Sequence, residues 1–296
     1  MGVSLDFVSA EADLTPWALG VLILRADGTS PAQFSVPAHA LAICTVVLCG
    51  ELWRVDKQGR RRLMPLRYTT GSATQAQGYE ASPEAVCASL MCVASVLPRL
   101  TGVGADCFVN GMASADLLGE VSPADLYPPL CNQAIARGLM AGLRSRLAAV
   151  NPDVGALAFL ATLQRWDGRT VVPTGWPARR WQRACKYQLG VTPKLLQRLV
   201  RLHQSAQIGL TNPVLLTKAP APGWADHALA AGYSDQSHML RDYRELAGLT
   251  PARAVLAGHA TSLQALHIGA NALVPRLLPG VGRVSGSGGG PSLTWA

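Results

Sequence analysis

The chain has 296 residues, 49% of them apolar and 15% charged, with a formal net charge of +8. That length suits two ordinary domains with cores of their own. The longest apolar run, within Ala40–Cys49, is too short for a membrane helix, and MGVSLDFVSAEAD lacks the basic-then-apolar pattern of a secretory signal. Seven scattered cysteines form no C-x-x-C pair and have no histidine at zinc-finger spacing, as expected of reduced thiols in the cytoplasm. Redox sensing by Cys87 and Cys92, five residues apart, is the alternative reading.

From the N-terminus, residues 1–121 read as short strands divided by turns. Ala18–Leu24, Phe34–Val36, Ile43–Val55 and Val86–Val96 are rich in β-branched and apolar residues, with Asp27-Gly28 and Gln58-Gly59 placed for hairpins. Such spacing without helical periods favours a small barrel or sandwich. The clustered histidines of a cupin metal site are absent, only His39 falling in this region. An effector-binding or dimerising domain is expected, with no metal and no cofactor. Residues 122–152 form a helical linker, in which Ile135, Leu139, Leu143, Leu147 and Val150 recur every three or four positions. That stripe packs either on its own domain or on a second copy. Asn151-Pro152 ends it. Residues 258–296, with GRVSGSGGGPS, read as a flexible tail.

The charge is concentrated between these regions. Leu163–Leu256 holds 13 Lys and Arg against 5 Asp and Glu, whereas residues 1–162 hold 11 against 13. A basic module beside a near-neutral one implies a polyanionic partner. In PARRWQRACKYQ (177–188), Pro177 suits the first helical position, and Ala178, Trp181 and Cys185 share a stripe. Arg179, Arg183 and Lys186 lie opposite it, beside Gln182. Thr192-Pro193 then opens a helix that buries Leu195, Leu196, Leu199 and Val200. Trp224–Ala231 is a short helix followed by a Gly232-Tyr233 turn. In SDQSHMLRDYREL (234–246), Ser234 suits the N-cap and Met239, Tyr243 and Leu246 form the buried stripe. Ser237, Arg241 and Arg244 face away, flanked by Gln236 and His238. Helix, Gly-containing turn and helix is the helix-turn-helix order, and Arg and Gln are the side chains that read guanine and adenine in the major groove.

The run GWADHALAAGYSDQSHMLRDYRELAGLTPARAV resembles the second helix-turn-helix of the AraC family of bacterial transcription regulators, and RRWQRACKYQLGVTPKLLQRLVRLHQS resembles its first recognition helix and connector. The resemblance covers about residues 160–256. It implies an α+β chain: a β-barrel-like, degenerate cupin-like N-terminal domain, then an all-α double helix-turn-helix domain over 153–257. Base-reading positions would be Arg179, Gln182 and Arg183 in the first unit, and Gln236, Ser237, His238 and Arg241 in the second. Lys186 and Arg244 are better placed for phosphates. Double-stranded DNA is the implied partner. RNA polymerase, a small-molecule effector and a second copy are further partners that the resemblance brings, with activation the usual outcome and a cytoplasmic, nucleoid-associated location. The first unit departs from the pattern: the usual supporting helix is not evident over Gly168–Gly175, Cys185 replaces a large aromatic, and Trp181 an aliphatic. The alternative is therefore a small-molecule or protein-binding module with weakened or lost DNA reading. An enzyme is not expected, since no G-x-S-x-G, P-loop or H-E-x-x-H appears and the six histidines do not cluster with carboxylates.

Overall fold

The computed structural model describes residues 3–26, 28–113, 117–119, 131–151, 153–166, 170–211 and 223–256. The first half carries antiparallel sheet and the second half is helical. The expected tail, the opening of the linker, the Asp27 hairpin position and Pro152 lie outside the described residues.

Among the described residues, ten strands form two sheets. They are β1 (Val3–Ser9), β2 (Ala18–Ala26), β3 (Ala32–Val36), β4 (Leu41–Cys49), β5 (Leu52–Val55), β6 (Arg61–Leu63), β7 (Arg67–Thr70), β8 (Gln77–Ala81), β9 (Val86–Val93) and β10 (Met112–Ala113). One sheet runs β1-β2-β9-β4-β7-β10 and the other β3-β8-β5-β6. The Ile43–Val55 segment, read as one strand, is two: the chain turns at Gly50, and β4 and β5 belong to different sheets. The Val86–Val96 segment also ends early, because β9 stops at Val93 and α1 (Val96–Thr101) follows. Gln58-Gly59 does turn the β5–β6 hairpin.

The two-residue period of a strand sends alternate side chains to opposite faces. In β2, Val21 and Ile23 join the large core while Leu22 and Leu24 line a cavity. In β9, Ala88, Leu90 and Cys92 join that core, whereas Cys87, Ser89 and Met91 line the same cavity. Cys87 and Cys92, five apart, therefore project from opposite faces, and burial pushes the Cys87 thiol up to about 12 and Cys92 higher still. Neither is an accessible thiolate, and the redox-sensing expectation loses its basis.

Helix α2 (Asn132–Ala148) buries Ile135, Leu139, Leu143 and Leu147 of the expected stripe, while Val150 lies past its end, and the helix packs on β1, β2 and β9. Arg144 extends across to Glu11 and Asp13, and Asn132 bridges Arg25 and Asp6. Its stripe is thus covered by its own sheet, which removes it as a surface for a second copy. Four helices follow: α3 (Val154–Arg165), α4 (Ala178–Leu189), α5 (Pro193–Thr211) and α6 (Gly223–Ala230). Then come α7 (Gln236–Asp242), a wider π-type turn over Tyr243–Ala247, and α8 (Pro251–Leu256). The large core is shared by the sheet, α2 and the later helices.

Candidate nucleic-acid interface

Helix α4 begins one residue later than its sequence suggests. Pro177 is the N-cap, with an extended ψ of 132°, rather than the first helical residue. Trp181 and Cys185 are fully buried, while Ala178, assigned to the same stripe, is exposed because it precedes the first packed turn. Around Trp181 lie Phe159 at 5.2 Å, Trp176 at 5.3 Å and Trp166 at 5.9 Å between ring centroids. Its Nε1–H donates to the Val171 carbonyl at 3.1 Å. Residues 170–177 are non-helical, and these rings together with α3 hold α4 from behind.

The opposite face of α4 is open. Arg179, Gln182, Arg183 and Lys186 are all exposed, and none of their side chains has a hydrogen bond or ion pair among the described residues. Arg180, also exposed, lies over the Trp176 ring at 5.3 Å. The C-terminal end of α4 rests on the β half. Ser72 Oγ donates to the Leu189 carbonyl at 2.6 Å, and Gly190, at φ 72°, lies where a Cβ would be 2.8 Å from the Ala105 carbonyl. Only glycine satisfies both that left-handed backbone and that close approach.

Helices α6 and α7 are joined by Ala231-Gly232-Tyr233, with Gly232 at φ 81°. The N-cap of α7 is Asp235, not Ser234. The Asp235 carboxylate accepts the His238 N–H at 2.8 Å, and this bond, followed by the Ser234 hydroxyl, holds its pKa below the usual carboxylate value. Ser234 instead bridges Asp235 and His238 Nδ1, at 2.9 and 3.1 Å. Met239, Tyr243 and Leu246 are buried as the periodicity requires. Gln236, Ser237, Arg241 and Arg244 are exposed. His238 is half-buried, its ring edge-on to Tyr233.

Helix α5 fixes α7 through polar contacts. Arg198 Nε donates to Asp242 Oδ1 at 2.8 Å, and its guanidinium also reaches Glu245. Asp242 is only 1% exposed, so Arg198 supplies the charge compensation that burial demands. Further along, Ser205 Oγ bonds His227 Nε2 at 2.7 Å and the Tyr243 hydroxyl at 3.0 Å. Burial lowers the His227 pKa and pushes Tyr243 up to about 12, so both are neutral at pH 7. Sequence reasoning passed over Arg198 and Ser205. The signal available was a polar side chain recurring along an otherwise apolar face of α5.

No group of three or more metal-ligating side chains occurs among the described residues, and no helix there is long and apolar enough to cross a membrane. No protein-family model matches the chain, and no curated protein matches it. Among solved structures it is similar to ToxT from Vibrio cholerae O395, at 12% identity over 81% of this chain and 98% of that one, with a TM-score of 0.39. It is also similar to unsaturated fatty acid-bound wild-type ToxT from Vibrio cholerae strain SCE256, at 11% identity over 80% and 95%, with a TM-score of 0.38. A likeness at that level assigns neither family nor ligand to this chain.

Proposed function

We propose that the chain is a sequence-specific DNA-binding transcription regulator with two helix-turn-helix units in residues 153–257 and a regulatory β domain in residues 1–121. The observation that carries this reading is the pair of helices, α4 and α7, that each bury an apolar stripe and leave Arg and Gln side chains free on the opposite face. An exposed Arg is ordinarily a solvated surface residue; two such faces flanking one connector are not explained that way. At 19 residues α5 spans about 28 Å, commensurate with the ~34 Å repeat of successive major grooves on one side of a duplex.

Arg179, Gln182 and Arg183 read bases through α4, and Gln236, Ser237 and Arg241 through α7. His238, held by Ser234, orients the start of α7 as well as facing the groove. Lys186 and Arg244 bind phosphate. The family resemblance supports activation through RNA polymerase as the outcome on the promoter.

The test is selection of bound duplexes from a random pool, followed by fluorescence anisotropy on the winner. One preferred sequence with two half-sites about one helical turn apart is expected. Arg241→Ala and Arg183→Ala should each cost about 1–3 kcal/mol and relax discrimination at one base position. Equal affinity for every duplex at moderate salt would sink the reading.

A further inference from the structure

Between the two sheets lies a cavity of about 100 Å³. Its wall is apolar over most of its area, with Leu22, Leu24, Phe34 and Met91 among the lining side chains, and among the described residues no Lys, Arg, Asp or Glu reaches it. Two histidines do. His39 comes from the β half and His203 from α5, and they are 7% and 4% exposed. The other polar groups are largely satisfied within the wall: Thr45 and Ser89 bond each other at 2.9 Å, and the Tyr79 hydroxyl donates to Gln77 at 3.1 Å. The His203 ring has no hydrogen-bond partner among the described residues. His39 Nδ1 accepts the Leu41 N–H at 3.3 Å, which leaves Nε2 of a neutral ring to carry its proton.

We infer that this cavity is a binding site for an uncharged, mainly apolar small molecule whose single hydrogen-bonding group, a hydroxyl or carbonyl, is taken by His39 and His203. The volume sets the size. An apolar cavity of about 150 Å³ admits benzene, so this one suits a smaller ligand, on the order of four heavy atoms. The wall sets the charge. A carboxylate here would have no fixed cation, and an ammonium no fixed anion, so either would lose its hydration without compensation. Burial holds both imidazoles down to about 4, His39 being further opposed by His203, so neither ring supplies a cation at neutral pH. A neutral imidazole offers one N–H donor and one acceptor nitrogen, the complement of a hydroxyl or an amide-like carbonyl.

The same wall touches the proposed DNA-reading half twice. His203 belongs to α5, and the Val36–Leu41 segment lining the cavity donates its Ala38 N–H to the Leu246 carbonyl, in the turn that continues α7, at 2.7 Å. The inference therefore deepens the regulator reading, on which its regulatory consequence, though not the binding itself, rests.

Titration calorimetry on the full chain at pH 7 decides it, with 1-propanol, propionate and propylamine as probes. 1-Propanol should bind once per chain, at least tenfold more tightly than either ion. His203→Phe, which keeps a ring of similar shape but loses both nitrogens, should weaken 1-propanol about tenfold, as expected for one lost hydrogen bond, and His203→Gln should restore most of the loss. The inference is overturned if 1-propanol fails to bind, if an ion binds as tightly, or if His203→Phe binds it unchanged. Should His203→Phe fail to fold, the alcohol-against-ion comparison on the native chain decides alone. Duplex binding without probe is read separately by anisotropy. A chain that binds 1-propanol but no DNA refutes the regulator reading only, and the converse refutes the cavity inference only.

Discussion

Helix α7 is anchored from inside the helical half, by Arg198 on Asp242 and Ser205 on Tyr243, whereas α4 leans on a cluster of aromatic rings and on the β half through Ser72 and Gly190. Both present the same kind of face, so the difference lies in what fixes its position. A face held chiefly by its own connector feels the β half less, here through the Ala38 N–H on the Leu246 carbonyl beyond its last exposed Arg. A face held partly by the β half moves when that contact changes. The comparison places regulation, in the proposed regulator, at α4 and the junction beside it.

The largest expected effect is at the aromatic cluster. Trp181→Ala removes a fully buried ring in contact with three others and leaves the Val171 carbonyl without its donor. A loss of about 3–5 kcal/mol is expected in urea denaturation. A loss below about 1 kcal/mol would show that the rings do not hold α4 in place, and the contrast between the two anchors would fail.

The junction itself predicts a pH dependence. His39 and His203 are held at about 4 in the folded chain against 6.5 in the unfolded one, chiefly by burial. A base whose folded pKa is depressed contributes stability that is fully present above the unfolded pKa and is lost as pH falls through the folded one, because the unfolded chain takes up the proton first. Stability should therefore decline between pH 6.5 and 4, by up to about 3 kcal/mol per histidine. His203→Phe should flatten that slope in denaturation curves taken across this window. An unchanged slope would remove His203 from the junction and leave α4 to be positioned by Ser72 and Gly190.

The two anchors were not equally legible in the sequence. Met239, Tyr243 and Leu246 follow a local helical period, so the buried stripe of α7 could be read from spacing alone, as could the Thr192-Pro193 start of α5, where Thr192 caps Leu195 at 3.2 Å. The split of Ile43–Val55 was hidden because an apolar run carries no sign of where the chain changes sheet. Strands such as Arg61–Leu63 are too short and polar to show alternation. Asp235 and Ser234 are both good caps, and only geometry chooses between neighbours. The rings around Trp181 come from α3 and the segment between it and α4, while His39 and His203 meet across the whole fold. Contacts of that kind leave no periodic trace. For the same reason Arg198 and Ser205, which fix α7, were missed while the residues on its outer face were found.

The smallest effect distinguishes the two faces most directly. Lys186 and Arg244 occupy matching exposed positions on α4 and the turn continuing α7. A phosphate contact adds affinity without sequence preference, and removing it lowers the slope of log affinity against log salt by about 1. If both faces grip DNA, Lys186→Ala and Arg244→Ala should each weaken binding uniformly across sequences and reduce the slope by that amount, read by anisotropy over a salt series. If only Arg244→Ala changes the slope, α4 is held off the duplex in that state, and the β half that supports it is what holds it there. Repeating the Lys186→Ala series with Gly190→Ala, which forces the close approach to Ala105 apart, would then recover the missing slope change.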